Sequence, residues 1–254
     1  MTEVPSEGAL RMKLEGRIAI VTGAGQGIGR AIAQKLSQEG ATVVVADINE
    51  ETARKTAADI DGFAYPADVS SEEQVGALVD AVAERYGKID VLVNDAAIVP
   101  FVSWEDLDFA QWRKIMSVNL DGVFLTCHAV YPHMKAAGYG RIVNIASNVI
   151  VAGTPNLAHY ASAKGGVVGF TRSLATEVGA HGITVNAVAP GLTASEGVLA
   201  GPHAEAFDFV VSLQAIPRRA MPADIAPAVA FLASEEAGWI TGSMIVADGG
   251  HTRH

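Results

Sequence analysis

Short apolar runs rich in β-branched residues alternate along the chain with segments whose apolar residues recur at helical spacing. The first pattern is typical of buried strands, and the second predicts amphipathic helices. The predicted strands are 17–22, 42–47, 63–67, 91–94, 141–146, 183–189 and 244–247. The predicted helices are 28–39, 50–60, 71–86, 109–135, 160–178 and 225–232, and Pro132 is expected to end or bend the fourth of them late.

This order of elements predicts a parallel sheet. Strands that alternate with helices form βαβ units, and continuously apolar strands fit a sheet with both faces covered. We therefore predict the α/β class, with a single Rossmann-type doubly wound parallel sheet and helices on both faces, over residues 14–254. Residues 1–13 are polar and are predicted to form a flexible N-terminal extension. In such sheets, ligands bind at the carboxyl ends of the strands, near the switch point.

Charge and composition narrow the partners and the compartment. A formal net charge of −10 over 254 residues disfavours nucleic acid and anionic membrane surfaces as partners. Cys127 is the only cysteine, so an intramolecular disulfide is impossible, and a packing role is favoured over a reactive thiol. We find no signal peptide and no apolar run long enough to span a bilayer. The expected location is the cytoplasm, and no histidine spacing indicates a metal site.

A glycine-rich loop follows the first predicted strand directly, and it reads TGAGQGIG over residues 22–29. Glycines allow a tight turn and let the backbone approach a pyrophosphate, while the next helix offers free N–H groups at its positive end. The position between a strand and a helix favours dinucleotide binding over a structural loop. For Arg30, just after the loop, a solvated or packing role is favoured over a phosphate contact.

Two acidic residues follow the next two strands. Asp47 ends the second strand, where a carboxylate accepts hydrogen bonds from the adenosine ribose hydroxyls and repels a 2′-phosphate. This position favours NAD over NADP, and Gln26 stands in the loop where a basic residue would favour NADP. Asp68 follows the third strand, where it either accepts from the adenine amine or caps a turn or helix; the sequence leaves both roles open.

Tyr160 and Lys164 lie four positions apart on a predicted helix and share one helix face, and Ser147 ends the strand before it. A neighbouring ammonium favours the phenolate and lowers the pKa of a tyrosine from its usual value of roughly 10. A serine hydroxyl hydrogen-bonds the oxygen that gains or loses the proton. The trio suits interconversion of an alcohol and a carbonyl. Taken alone, the pair also fits a solvated lysine beside a half-buried tyrosine.

In combination, these motifs resemble the short-chain dehydrogenase/reductase family from about Leu14 to the C-terminus. The matching elements are the loop 22–29, Asp47, the Asp68-Val69 pair, Asn119 on the long helix, Ser147, the Tyr160/Lys164 pair, and Pro190-Gly191 followed by Thr193. After the fourth strand the family usually has Asn-Asn-Ala-Gly, whereas residues 94–97 of this chain read Asn-Asp-Ala-Ala. Asp95 therefore adds a carboxyl group, and Ala97 adds a methyl group where a glycine lets the backbone pack around the ribose.

The resemblance implies roles for these residues. Tyr160 is the general acid/base, Lys164 lowers its pKa and holds the nicotinamide ribose, and Ser147 orients the substrate oxygen. Asn119 helps to hold a water that relays protons beyond Lys164. The residues implied to bind the cofactor are Gly23, Gln26, Gly27, Ile28, Gly29, Asp47, Asp68, Val69, Asn94, Ala96, Tyr160, Lys164, Pro190, Gly191 and Thr193.

The resemblance also implies where substrate binds. Residues 192–217 are mostly small and apolar and are expected to form a lid, part of it a packed connecting helix, and residues 148–154 supply the opposite wall. The implied substrate residues are Ser147, Asn148, Val149, Gly153, Tyr160, Phe207 and Val210. The end of the chain is similar to a bacterial subgroup that includes NAD-dependent 1-phenylethanol dehydrogenase and pyridoxal 4-dehydrogenase. Related proteins lead us to expect a homotetramer.

The leading hypothesis is a NAD-dependent oxidoreductase that interconverts a small, partly aromatic or apolar secondary alcohol and its ketone or other carbonyl form, with Tyr160 as general acid/base and without a metal. The enzymatic alternatives are a 3-oxoacyl-(acyl-carrier-protein) reductase, which normally uses NADP and a basic patch, and a sugar or polyol dehydrogenase. The alternative from another class is a non-catalytic dinucleotide-binding scaffold or redox sensor, which does not need a complete proton-handling set.

Overall fold

The computed structural model describes residues 13–201 and 206–253, so residues 1–12 of the predicted N-terminal extension lie outside the described part. Seven parallel strands form one sheet within that part. They are β1 (Ile18–Thr22), β2 (Thr42–Asp47), β3 (Phe63–Pro66), β4 (Val91–Asn94), β5 (Gly140–Ile145), β6 (Ile183–Pro190) and β7 (Met244–Ala247). Every predicted strand is confirmed, and the ends differ by about one residue.

The strand order is β3-β2-β1-β4-β5-β6-β7, and every neighbouring pair is parallel. The chain builds outward from β1 through β2 to β3 and then crosses back to β4 on the other side of β1. Thr22 at the end of β1 therefore lies opposite Asn94 at the end of β4. The crevice above these two carboxyl ends is where doubly wound sheets bind ligands.

Helices cover both faces of the sheet. They are α1 (Gly27–Gln38), α2 (Glu50–Asp59), α3 (Glu72–Tyr86), α4 (Phe109–Met116), α5 (Gly122–Ala137), α6 (Val149–Ala152), α7 (Ala158–Val178), α8 (Glu196–Leu199), α9 (Phe207–Leu213) and α10 (Pro222–Ala233). One apolar core joins the sheet to α1 and α10, and a second joins the other face to α3, α5 and α7. Successive strand residues alternate between them: Val43 and Val45 enter the first core and Val44 the second. This arrangement confirms the predicted α/β doubly wound sheet.

The predicted helix 109–135 is continuous but is not α-helical throughout. α4 runs into a π-helical turn, Ser117–Asp121, which runs into α5. Pro132 lies inside α5 and does not end it. The helix continues to Ala137, and Gly138 ends it by adopting a left-handed φ of 63°. Turns of the π type are frequent at functional positions, and Asn119 lies in this one.

The short helices α6 and α8 follow β5 and β6, and the sequence predicts neither of them. α6 and α8 have four residues each, which is too short for a periodic pattern to reveal. α9 is the packed helix expected within residues 192–217. The segments after β5 and β6 both begin at the carboxyl edge of the sheet, which is also the edge where the crevice between β1 and β4 opens.

Candidate active site

The glycine loop joins β1 to α1 as predicted. Gly23 has a left-handed φ of 66°, and a Cβ there would lie 2.7 Å from the Cα of Ala96. A Cβ on Gly29 would lie 2.2 Å from the carbonyl oxygen of Gly23. Both positions therefore require glycine. Because the bare backbone brings N–H groups and the positive helix end to the crevice, these residues fit a dinucleotide phosphate. Gln26 is exposed and Ile28 is half-buried beside it.

The carboxylate of Asp47 faces the glycine loop. Its Oδ2 accepts a hydrogen bond from the backbone N–H of Gly25 at 2.9 Å, and its Oδ1 accepts one from the N–H of Asn49 at 2.9 Å. A negative charge therefore lies at the end of β2, next to the loop. This position agrees with the one from which the sequence predicts contact with an adenosine ribose.

Asp68 closes a turn after β3. Its Oδ1 accepts hydrogen bonds from the hydroxyl and the backbone N–H of Ser70, at 2.6 and 2.9 Å, and the first of these is the main reason that the pKa of Asp68 lies below its ordinary value. The turn role that the sequence left open is therefore present, and adenine contact stays a prediction. Val69 is buried against Gly122, where a Cβ would lie 2.9 Å from a methyl group of Val69.

The segment after β4 passes directly over the glycine loop. The hydroxyl of Thr22 accepts hydrogen bonds from the backbone N–H groups of Asp95 and Ala96, each at 3.2 Å. Ala97 is exposed and does not have a positive φ. The backbone therefore accepts the methyl group of Ala97 without strain, although the related family has glycine at this position.

The side chain of Asn94 is part of a buried polar network. Its Nδ2 donates to the Oδ1 of Asn144 at 2.9 Å, and its Oδ1 accepts from the hydroxyl of Thr126 at 2.7 Å. Asn144 in turn donates to the hydroxyl of Thr171 on α7 at 2.9 Å. The side chain of Asn94 is occupied inside the protein, and cofactor contact by Asn94 and Ala96 stays a prediction.

Ser147, Tyr160 and Lys164 meet at the carboxyl end of β5. The Nζ of Lys164 donates to the carbonyl oxygen of Ile145 at 2.7 Å and lies 5.7 Å from the centre of the Tyr160 ring, and the lysine is only 2% exposed. Ser147 is buried, and its hydroxyl opposes the rise in the pKa of the Tyr160 phenol. The structure therefore brings together the three residues in which the sequence predicts the proton chemistry.

The ionisation of this trio differs from the prediction in one respect. Burial raises the pKa of Tyr160 to about 12, the hydrogen bond with Ser147 opposes the rise, and the charge of Asp95 adds to it. The net shift of this pKa is therefore upward, and the lowering attributed to Lys164 stays a prediction. Burial lowers the pKa of Lys164 to about 8 and raises that of Asp95 to about 7, and the attraction between these two groups opposes both shifts. Desolvation disfavours the charged phenolate, and the ammonium of Lys164 donates its hydrogen bond to the carbonyl oxygen of Ile145.

Asn119 anchors the loop after β4 to the long helix. Its Oδ1 accepts from the backbone N–H of Ile98 at 2.9 Å, and its Nδ2 donates to the carbonyl oxygen of Ile98 at 2.8 Å. The side chain is fully buried. The sequence, which by itself favours a surface or kink residue, does not reveal this contact. The predicted role in a water relay remains untested.

Comparison with known proteins identifies the family. Residues 23–252 match a protein-family model described as enoyl-(acyl carrier protein) reductase. The chain is 41% identical over 242 residues to cis-4-hydroxycyclohexanecarboxylate dehydrogenase of Sinomonas cyclohexanicum, covering 93% of this chain and 96% of that protein. The chain belongs to the short-chain dehydrogenase/reductase family. It is therefore an oxidoreductase of a family that uses nicotinamide dinucleotides, as the sequence predicts.

Two further comparisons agree with this membership. The short-chain dehydrogenase/reductase is 36% identical over 244 residues to 3-oxoacyl-(acyl-carrier-protein) reductase of Thermotoga maritima, covering 94% of this chain and 99% of that protein. A crystal structure from Sinorhizobium meliloti 1021, provisionally described as a short-chain alcohol dehydrogenase, superposes with a TM-score of 0.90 at 36% identity. That match covers 95% of this chain and 98% of the other, so the fold is shared over nearly its whole length.

The segment after β6 packs against the end of the chain. Pro190 ends β6, and a Cβ on Gly191 would lie 2.8 Å from the Cβ of Asp248. Thr193 is buried, and its hydroxyl donates to the carbonyl oxygen of Gly191 at 3.0 Å. All three residues lie at the carboxyl edge of the sheet, where the family resemblance places cofactor contacts.

The predicted substrate residues lie on two segments, one after β5 and one after β6. Asn148 is buried next to Ser147, while Val149 is half-buried and Gly153 is exposed at the end of α6. On α9, Phe207 is 1% exposed and packs under the guanidinium of Arg219, 5.0 Å from the ring centre. Val210 is half-buried on the same helix. Phe207 therefore supports the segment from inside, and Val210 is the more accessible of the two.

A contact between the tail and the predicted substrate wall has no signal in the sequence. The Nδ2 of Asn148 lies 3.1 Å from the Oδ2 of Asp248, to which it donates, and 3.2 Å from the Nδ1 of His251. Asp248 also accepts from the backbone N–H groups of residues 250, 251 and 252. Asn148 and Asp248 are 100 positions apart, and no local pattern predicts their contact. The tail thus holds the residue next to Ser147.

The described residues contain neither a group of three histidine, cysteine, aspartate or glutamate residues suited to a metal ion nor a helix both long and apolar enough to cross a membrane. Cys127 is buried, and burial raises the pKa of its thiol to about 12. This environment fits the predicted packing role rather than a reactive thiolate.

Proposed function

We propose that this short-chain dehydrogenase/reductase interconverts a small, partly aromatic or apolar secondary alcohol and its carbonyl compound, with NAD as the cofactor. The observation that carries the proposal is the convergence of Ser147, Tyr160 and Lys164 at the end of β5, beside the crevice between β1 and β4. When bound, the nicotinamide supplies hydride chemistry that protein side chains lack.

In the proposed reaction, Tyr160 exchanges a proton with the substrate oxygen. Its raised pKa keeps the phenol protonated near neutral pH, and this is the form that donates a proton to a carbonyl oxygen. In the direction of alcohol oxidation, the phenol must first lose its proton, so we expect this direction to become faster as the pH rises. Ser147 hydrogen-bonds the same oxygen, and Lys164 holds a positive charge beside the ring that favours the phenolate.

The acidic residue at the end of β2 supports NAD as the cofactor. The carboxylate of Asp47 lies against the glycine loop, where it accepts from the N–H of Gly25 at 2.9 Å. A 2′-phosphate at the adenosine ribose would meet this negative charge, whereas two ribose hydroxyls would find a hydrogen-bond acceptor. Gln26 supplies no positive charge that would compensate for a phosphate.

The substrate class rests on the walls of the crevice and on the relatives. Of the residues that the resemblance assigns to substrate, the half-buried Val149 and Val210 are apolar. The similar dehydrogenase from Sinomonas cyclohexanicum is named for a cyclic hydroxy acid, and that name indicates oxidation of a compact secondary alcohol. The end of the chain resembles enzymes of aromatic alcohols. Together these features favour a compact alcohol over a sugar or polyol.

A 3-oxoacyl-(acyl-carrier-protein) reductase is the second candidate, because a Thermotoga maritima protein with that name is 36% identical over nearly the full length. Such an enzyme normally uses NADP and binds an acidic carrier protein through a basic patch. Asp47 and the net charge of −10 disfavour both features. A non-catalytic scaffold is disfavoured because Asn119, Ser147, Tyr160 and Lys164 are all present.

The proposal is tested by initial rates with the purified chain. A panel of secondary alcohols, including 1-phenylethanol and cyclohexanol, is assayed with NAD and with NADP, and the corresponding ketones with the reduced cofactors. We expect turnover with NAD, a strong preference over NADP, and loss of that preference in Asp47→Ser. A strong NADPH preference with an acyl thioester would support the second candidate. Cofactor binding without turnover of any substrate would support the scaffold.

A further inference from the structure

A carboxylate from the segment after β6 reaches into the glycine loop. Glu196 is the first residue of α8, and the hydroxyl of Ser195 caps that helix by accepting from the N–H of Val198. The Oε2 of Glu196 accepts from the backbone N–H of Gly27 at 3.0 Å. Its Oε1 forms an ion pair with the guanidinium of Arg30 on α1. One side chain therefore binds both the loop and the first turn of the helix that follows.

The N–H of Gly27 and the guanidinium of Arg30 are the kinds of donor that bind a diphosphate. Gly27 is the first residue of α1, so its N–H is one of the groups at the helix start that have no intrahelical partner. Free N–H groups at a helix N-terminus, together with a nearby arginine, bind phosphate and carboxylate in the same way. A diphosphate and Glu196 therefore compete for the same N–H group.

The contact is close on the backbone side as well. A Cβ on Gly27 would lie 3.2 Å from the Cβ of Ser195, so the two segments nearly touch. Ser195 follows Ala194, whose N–H donates to the carbonyl oxygen of Ala220 at 2.8 Å. Thr193 forms a parallel bridge with the same residue, Ala220. The segment that carries Glu196 is therefore held by Ala220 on one side and lies against the glycine loop on the other.

Glu196 is ionised under ordinary conditions. Partial burial raises its pKa, but its own backbone N–H, the charge of Arg30 and the N–H of Gly27 together hold the pKa below its usual value. The loop therefore meets a negative charge rather than a neutral carboxyl group. Arg30, which the sequence left as a solvated or packing residue, has an ionised partner here.

We propose that Glu196 is an intramolecular competitor of the dinucleotide diphosphate, which binds the glycine loop until the cofactor displaces it. The proposal rests on the proposed function, because it takes the loop to be the cofactor site. Displacement releases residues 195–199 from the loop, so cofactor binding is coupled to movement of the chain that follows β6. Glu196 thereby sets the affinity for the cofactor without contacting the reacting atoms.

The test compares NADH dissociation constants, measured by fluorescence titration of the full chain. We expect Glu196→Ala to bind NADH about tenfold more tightly, a change equivalent to about 1.4 kcal/mol. Glu196→Gln should show a smaller gain, because the amide oxygen still accepts from Gly27 but no longer carries a charge. In an Arg30→Met background, the gain on removing Glu196 should shrink, since the competitor has lost its ion pair.

Glu235→Gln is the matched control, because Glu235 also pairs with an arginine, Arg17, but at the opposite edge of the sheet. It should leave NADH affinity unchanged. If wild type binds and oxidises NADH while the Glu196 variants bind it equally or more weakly, the competitor proposal is overturned and the proposed function stands. If wild type and all variants fail to bind NADH, both fall together.

Discussion

Tyr160 carries the proposed proton transfer, and its surroundings set the pH at which it acts. Burial and the charge of Asp95 raise its pKa, and Ser147 opposes them. Lys164 and Asp95 are both present near the phenol, so the tyrosine lies among charges of both signs. The protonated form that these surroundings favour suits reduction of a carbonyl, and oxidation of an alcohol then depends on removing that proton.

Tyr160→Phe is expected to reduce turnover by about 10²–10⁴-fold, because it removes the group that exchanges the proton. NADH affinity should change little. Steady-state rates and fluorescence titration measure the two effects, and Tyr65→Phe on β3 is the control. A variant that keeps more than about a tenth of the wild-type rate would contradict general acid/base catalysis by Tyr160.

Asp95→Asn is expected to stabilise the fold at alkaline pH. Burial raises the pKa of Asp95 to about 7, so the folded chain holds this proton more tightly than the unfolded chain. The stability that the proton contributes is fully present below the ordinary pKa of the group and is lost as the pH rises through about 7. The variant avoids this loss.

Urea denaturation of Asp95→Asn and wild type, at about pH 5 and about pH 8, measures the effect. The gain in the free energy of unfolding should be larger at the higher pH. Asp80→Asn, at an exposed position on α3, serves as the control. An equal gain at both pH values would show that Asp95 is not the group responsible.

Helices and strands position the site mainly through close backbone approaches. The loop between β1 and α1 passes so near to itself and to the segment after β4 that side chains are excluded at Gly23 and Gly29. The π-helical turn between α4 and α5 places Asn119 on the backbone of Ile98. The crevice is therefore shaped by elements that tolerate little displacement.

Gly29→Ala is expected to weaken NADH binding by at least about tenfold, because its methyl group would lie 2.2 Å from the carbonyl oxygen of Gly23 and must displace the loop. Gly76→Ala is the matched control in α3, where nothing lies within 4 Å of the added Cβ. It should leave NADH binding unchanged and raise the free energy of unfolding by about 0.5–1 kcal/mol. Equal affinities in the two variants would contradict the packing argument.

The sequence predicts the strands, the main helices and the meeting of Ser147 with Tyr160 because each depends on local periodicity or on motif order. It does not predict the sign of the pKa shift of Tyr160, which depends on how fully the fold removes water from the phenol. It also misses the contact of Glu196 with Gly27, since the two are 169 positions apart. Long-range contacts of single side chains leave no periodic signal.

The chain as a whole leaves large apolar side chains on its surface. Trp239 is fully exposed and Trp104 is 78% exposed, so neither is a core residue. Tryptophan is favoured in cores and at interfaces between chains, and for these two residues the interface role remains. Exposed aromatic residues are typical of surfaces that other chains cover. We therefore propose the homotetramer that related proteins lead us to expect.

Light scattering of the purified chain is expected to give about four times the chain mass of 26.4 kDa. Trp239→Glu should shift the assembly toward smaller species, because it places a charge where an apolar contact is proposed. Glu236→Gln, in the turn before it, is the control. A wild-type protein that remains monomeric at high concentration would refute the assembly.

A buried series of hydrogen bonds links Asn94, Asn144 and Thr171, and it limits which substitutions these positions tolerate. Each amide has one orientation that satisfies its neighbours, so β4, β5 and α7 are joined in a single arrangement. Replacing one member by an apolar residue leaves the polar group of its partner buried without a hydrogen bond. Replacing all members together leaves no such unsatisfied group. We therefore expect substitutions at these positions to occur together in related sequences rather than one at a time.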